Sequence, residues 1–125
     1  MRRIIIAASV LALCGTPALA AEDAMAGFYG NTAIATGGMA DTHTHYRADH
    51  TFDVTASAMG MDYKFTGTWK FDEKGQLCRT YADPVPPGLP SNPFCTPFEP
   101  HKVGDTWTVT MNGNSRTITL KAGIQ

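Results

Sequence analysis

The chain has 125 residues, with 10 Lys+Arg, 11 Asp+Glu and a formal net charge of −1. This length limits it to one small domain, too short for a nucleotide-binding fold joined to a substrate domain. The lack of a basic excess argues against a nucleic-acid partner, and no apolar run after residue 20 is long enough to span a membrane.

Residues 1–20 have the features of an export signal. Two arginines precede the mostly apolar residues 4–13, and Ala18-Leu19-Ala20 fits the small-x-small pattern of a cleavage site. We therefore expect residues 1–20 to be a signal peptide, residues 21–125 to form a single β domain, and the protein to be periplasmic or secreted. Cleavage would leave 8 Lys+Arg against 11 Asp+Glu, so the net charge would move from −1 to −3.

The rest of the chain favours strands over helices, because threonine and aromatic residues are abundant and both are common in strands. Alternation is strictest in residues 62–71, where Phe65, Trp69 and other apolar residues occupy every second position. Such a pattern is typical of a strand with one buried and one exposed face. About seven strands are predicted in this way: 28–36, 42–48, 51–57, 62–71, 76–82, 105–111 and 115–121.

Short turns are predicted between most of these strands. Asn112-Gly113 suits a two-residue hairpin turn, which needs positive φ angles, and residues 72–75 fit a type I turn closed by a glycine bulge. Strands joined by short turns lie side by side as an antiparallel meander. We therefore predict an all-β fold, a small antiparallel meander barrel or sandwich, interrupted by one long segment, 83–104.

Cys78 and Cys95 are the two cysteines that follow the export signal. An even number in an oxidising compartment favours one disulfide, which would close a loop of about 18 residues. This loop is rich in proline, which stiffens the chain and disfavours strand pairing. We expect an irregular, disulfide-stapled Pro-rich loop; a metal site is the alternative, although the spacing lacks the CxxC pattern.

Short motifs in a fixed order along the chain carry a family resemblance. They are Phe28-Tyr29-Gly30-Asn31-Thr32, the turn and strand 46–52, Gly67-Thr68-Trp69, Gly75-Gln76-Leu77-Cys78, the Pro-rich loop ending at Cys95, and residues 101–107. This order resembles small exported β proteins of alphaproteobacteria that have no assigned function, and it implies an architecture but no catalytic residue. Gly67-Thr68-Trp69 is also similar to the Gly-x-Trp of lipocalin-like barrels, where the Trp lies on the first strand; here it lies on the fourth.

Candidate ligand-binding residues lie on the predicted apolar face. Alternation places Arg79 there beside Tyr81, and an inward arginine must be paired or must reach the barrel mouth. Asp53 and Asp62 are possible partners, and the alternative is contact with an anion or carboxylate in a ligand cavity. The inner aromatic residues either line a pocket or fill a small barrel. The residues predicted to contact a ligand are Trp69, Arg79, Tyr81 and Trp107.

His43 and His45 are candidate metal ligands, because residues at i and i+2 on a strand point the same way. Met59 and Met61 lie near them in sequence, and a set of His and Met ligands suits copper, with zinc as the other possibility. The alternative is two solvent-facing histidines, since Tyr46 occupies the apolar face of this strand.

The Pro-rich loop has two interpretations. Val85, Leu89, Phe94 and Phe98 form either a recognition surface for an envelope protein or a plug for one end of the barrel. The sequence thus predicts a binding protein, for a small apolar molecule at the barrel mouth or a protein partner at this loop. The alternatives are a copper- or zinc-binding protein using His43 and His45, and a cofactor-free isomerase or cyclase.

Overall fold

A computed structural model of the protein describes residues 24–111 and 113–125. The predicted signal peptide and Asn112 of the predicted hairpin turn lie outside these residues. A short 3-10 helix, Ala26–Phe28, precedes eight antiparallel strands, which form one sheet curled into a half-barrel. The strands are β1 (Thr32–Thr36), β2 (Asp41–Tyr46), β3 (Thr51–Ala58), β4 (Met61–Phe71), β5 (Leu77–Tyr81), β6 (Phe94–Thr96), β7 (Thr106–Met111) and β8 (Asn114–Lys121).

The strand order in the sheet is β6-β5-β4-β3-β2-β1-β8-β7. Strands β1 to β6 follow the predicted meander, and β8 returns to pair with β1, as the last strand of a barrel does. The edge strands β6 and β7 are not paired with each other in the part of the chain that the structure describes. The predicted all-β antiparallel fold is confirmed, as a single open half-barrel rather than a two-sheet sandwich. No helix of the described residues is long and apolar enough to cross a membrane.

Two predictions of local structure were wrong. The predicted strand 28–36 begins only at Thr32, because Ala26–Phe28 is helical and the Asn31 N–H donates to the Phe28 carbonyl in a turn. The Pro-rich loop was expected to be irregular throughout, yet Phe94–Thr96 forms β6 against β5. Proline disfavours strand pairing because it lacks an N–H. Residues 94–96 contain no proline, so their backbone can join the sheet.

The predicted disulfide between Cys78 and Cys95 is present. The two residues lie directly opposite each other on β5 and β6, so the bond fastens the short edge strand to the sheet. Asp72 lies close to both sulfur atoms, but thiols that are joined in a disulfide are not available as metal ligands.

Replacing Cys78 and Cys95 together by Ala is expected to lower the free energy of unfolding by about 3 kcal/mol, since the unfolded chain gains the entropy of an open loop. Guanidinium-induced unfolding of both proteins measures this difference. A reductant should lower the stability of the wild type to that of the variant and leave the variant unchanged. Equal stability of the oxidised wild type and the variant would contradict the prediction.

The best-buried side chains lie toward the end of the sheet where β2 ends and β3 begins. Trp69, Phe52, Met25 and Leu120 are at most 1% exposed. Phe28 from the 3-10 helix packs its ring against those of Tyr46 and Trp107, with centroids 5.8 and 6.2 Å apart. The core therefore fills one end of the half-barrel.

Candidate functional site

The concave face of the half-barrel carries a cavity of about 520 Å³. Its wall on β1 and the first part of β2 consists of small side chains, since Ala33, Ala35, Thr42 and Thr44 occupy the inward positions there. On β4, which β3 separates from β2, Phe65 and Trp69 occupy the inward face. The cavity exists because small residues on one side of the curled sheet do not fill the space that the curl encloses.

Arg79 points into this cavity from β5, as the alternation pattern predicts. Its Nε–H donates to the Tyr46 hydroxyl at 2.6 Å, and Nη1 lies 3.5 Å from the Thr96 hydroxyl, at the limit of a hydrogen bond. The guanidinium carbon lies 5.7 Å from the centre of the Tyr46 ring. Within the described residues, no carboxylate oxygen lies within 4.0 Å of its nitrogen atoms.

The carboxylates expected to pair with Arg79 are engaged elsewhere. Asp53 accepts hydrogen bonds from His45 and Arg47, and Asp62 accepts one from Ser57. The partner of Arg79 is instead the hydroxyl group of Tyr46.

Two phenols flank the guanidinium and shape its electrostatics. Burial raises the pKa of Tyr81; the nearby Arg79 charge opposes that rise and Tyr46 adds to it. Burial alone would lower the pKa of Arg79, but the oxygens of Tyr46 and Tyr81 outweigh this, so its pKa is raised. At neutral pH the site therefore holds a charged guanidinium beside the protonated phenol of Tyr81.

The four predicted ligand-contact residues do not all reach the cavity. Arg79, Tyr81 and Trp107 line it. Trp69 does not, because its ring stacks on His50 with centroids 4.1 Å apart and its Nε1–H donates to the Arg47 carbonyl at 3.0 Å. Trp69 is a core residue at the closed end of the half-barrel.

Arg116 is a cavity residue that the sequence analysis missed. Its Nη2 donates to the carbonyls of Ala35 and Ala40, which ties β8 to the loop between β1 and β2. Its Nε is enclosed and has no hydrogen-bond partner among the described residues. The signal was present in the sequence, since Arg116 alternates with Ile118 and Leu120 on the inward face of β8.

The Pro-rich loop turns its two aromatic residues inward. Phe94 lines the cavity, and the ring of Phe98 packs against those of Phe28 and Phe71 at 5.7 and 5.1 Å. Val85, by contrast, is exposed. This placement favours the interpretation in which the loop folds back over the barrel.

The predicted metal ligands lie on different parts of the sheet. His43 and His45 lie on the convex face, where His45 Nδ1 is 2.7 Å from Asp53 Oδ1 and His43 Nδ1 is 3.4 Å from the Gln125 carbonyl. Met59 is fully exposed in the β3–β4 turn. Met61 lies four residues before Phe65 on β4, so alternation places it on the same, concave face. The four residues are not brought together, and copper or zinc binding at His43 and His45 stays a prediction.

His45 and Asp53 have the geometry of a histidine oriented by a carboxylate. In a catalytic triad the other ring nitrogen faces a nucleophile. Here Nε2 of His45 is enclosed and has no hydrogen-bond partner in residues 24–111 or 113–125. Asp53 also accepts from Arg47 Nη1 at 2.6 Å, so this cluster ties β2 to β3.

Replacing Asp53 by Asn is expected to destabilise the protein by about 1 kcal/mol at pH 7, since charge-assisted hydrogen bonds are lost at a partly exposed site. Burial would raise the pKa of Asp53, but hydrogen bonds from Arg47 and His45 outweigh it and lower the pKa. A carboxylate with a lowered folded-state pKa stabilises fully above its unfolded value, near 4, and this contribution is lost as the pH falls through the folded-state value.

Urea unfolding from pH 7 down to about pH 2.5 tests this prediction, and the difference between wild type and variant should shrink at acid pH. Asp41→Asn, at an exposed position of β2, is the matched control and should change stability little. A difference for Asp53→Asn that stays constant with pH would contradict the expected role of the carboxylate charge.

Comparison with protein-family models, curated proteins and solved structures finds no match to this chain. The features that bear on function are thus the open apolar cavity and Arg79 inside it. Aromatic and aliphatic walls exclude water from a ligand, while a small number of polar groups fix its orientation.

Proposed function

We propose that the protein binds a small, largely apolar molecule in the concave cavity, in the periplasm or outside the cell. The observation that carries this proposal is a cavity of about 520 Å³ between small side chains on β1 and β2 and aromatic side chains of the opposite wall. Pockets for small ligands commonly measure 300–1,000 Å³ and are mostly apolar. The Cys78–Cys95 disulfide supports an oxidising compartment.

Access to the cavity supports the same proposal. The lining residues include Phe94 of β6 and Trp107 of β7, the two edge strands of the sheet. The cavity therefore extends to the open side of the half-barrel. A ligand can enter there without breaking backbone pairing in the sheet.

The fluorescent probe N-phenylnaphthylamine, which is apolar and uncharged, tests the proposal. Its emission should rise on binding to the wild type, and Thr44→Phe should weaken binding at least about tenfold by filling the cavity. Thr68→Phe places the same ring on the exposed convex side of β4 and should leave binding unchanged. The proposal fails if the wild type does not bind the probe, or if folded Thr44→Phe binds it equally well.

A further inference from the structure

We propose that the ligand of the concave cavity carries a carboxylate head group, which pairs with Arg79 while the apolar body of the ligand lies against the cavity wall. This inference rests on the proposed function and names the chemical class of its ligand. It starts from a charged side chain that faces the cavity without a counter-charge.

Several N–H donors of Arg79 make no hydrogen bond to the described residues. A guanidinium has five N–H groups, yet Nε–H alone makes a short hydrogen bond, to Tyr46. Nη1 has one long contact with Thr96, and Nη2 makes no hydrogen bond to the described residues and is not enclosed by them. Removing a charge from water is costly unless an opposite charge replaces the lost hydration. A ligand anion at this point supplies that charge.

The groups around Arg79 favour a carboxylate. The planar fork of a guanidinium matches the two oxygens of a carboxylate. Tyr46 uses its oxygen to accept from Arg79, so its own O–H remains a donor. The protonated hydroxyl of Tyr81, two residues from Arg79 on β5, is a second donor. The guanidinium of Arg79 and the hydroxyl donors beside it suit a carboxylate head group.

The other charged groups of the cavity support a single negative charge. Arg116 directs Nη2 to two backbone carbonyls, and Glu99 is an exposed acid on the lining. Arg79, Arg116 and Glu99 together give a net charge of +1, since two positive charges face one negative charge, and this suits an anion with one charge. The remaining wall, with Phe94, Phe98 and Val54, suits an alkyl or aromatic body.

Matched alkyl probes test the head group. Decanoate, decanol and decylammonium share one chain and differ in charge. Calorimetric titration of the wild type should give a Kd for decanoate at least about tenfold lower than for decanol, with decylammonium weakest, since a charge-assisted pair contributes about 1.5–3 kcal/mol. The Nε–H resonance of Arg79 should shift with decanoate and not with decanol, a test that needs no variant.

Arg79→Met should still bind decanol, and its Kd for decanoate should be about equal to its Kd for decanol. Arg79→Lys should retain part of the preference for decanoate. Lys70→Met removes a positive charge from the exposed side of β4 and should leave the preference unchanged. Equal binding of decanoate and decanol by the wild type overturns the carboxylate inference alone. A preference that survives in Arg79→Met also overturns it. Failure of all three probes to bind the wild type counts against the proposed function itself.

Discussion

Gly67→Ala is expected to destabilise the protein by about 3 kcal/mol or more, because no side chain fits at this inward position of β4. A Cβ atom at Gly67 would lie 2.0 Å from the carbonyl oxygen of Thr80 and 2.9 Å from Cε1 of Phe52. The Thr80 oxygen belongs to the backbone of β5, so it cannot move aside as a flexible side chain does. Either β5 shifts away from β4, or the new methyl group overlaps sterically with the Thr80 carbonyl oxygen.

The neighbours of Gly67 are matched controls. Thr66 and Thr68 lie on the same strand, but both are exposed, so Thr66→Ala and Thr68→Ala should change stability by less than about 1 kcal/mol. Urea unfolding followed by circular dichroism measures all three variants. A Gly67→Ala protein as stable as these controls would show that the strands can separate here at little cost.

Gly67 also connects stability to the cavity. It pairs with Tyr81 on β5 and with Phe52 on β3, and the rings of those two residues pack edge to face with centroids 5.1 Å apart. A glycine between them allows this contact across β4. Displacing β5 would move Tyr81 and Arg79 together, so a partly folded Gly67→Ala variant should also lose binding in the cavity.

Alternation in the sequence predicts the faces of the strands well. It places Phe65, Trp69, Arg79 and Tyr81 on one side of the sheet, and the structure has them there. This success has a local cause, since successive side chains of a strand point to opposite faces whatever the rest of the fold does.

The position of a side chain along the barrel axis does not follow from local sequence. For this reason the sequence predicted a ligand contact for Trp69, which does not line the cavity. Trp69 and Arg79 are paired neighbours on the same face, yet Arg79 lines the cavity and Trp69 is buried beneath the turn between β2 and β3. The difference depends on which end of the half-barrel Met25 and Phe28 fill. Alternation carries no information about that choice.

The hydrogen-bond partner of Arg79 could not be predicted from the sequence either. Tyr46 lies 33 residues away, and β3 and β4 separate its strand from β5 in the sheet. The two side chains meet across the concave face because the sheet curls. The cavity volume has the same origin, since small residues such as Ala35 and Thr44 leave space only where a curved sheet faces them.

Trp69→Ala is the second substitution with a large expected effect, a loss of about 4 kcal/mol of unfolding free energy. Trp69 is 1% exposed, stacks on His50 and donates from Nε1 to the Arg47 carbonyl. The backbone N–H of Trp69 also donates to the His50 carbonyl at 2.8 Å, a bond that the Ala variant keeps. One residue thus holds the turn between β2 and β3 against the end of β4.

Trp69→Phe separates packing from hydrogen bonding at this position. It keeps an aromatic ring on His50 and removes the Nε1 donor, so it should cost about 1–2 kcal/mol less than Trp69→Ala does.

Trp107→Ala, at the other tryptophan of the described residues, is the matched control for Trp69→Ala. Trp107 is half-buried on the edge strand β7, where its ring stacks on that of His101. Its removal should cost about 1–2 kcal/mol and should weaken binding in the cavity, which Trp107 lines. Each variant retains one tryptophan, so fluorescence during urea unfolding follows a single site. Equal losses for Trp69→Ala and Trp107→Ala would contradict the assignment of Trp69 to the core and Trp107 to the ligand wall.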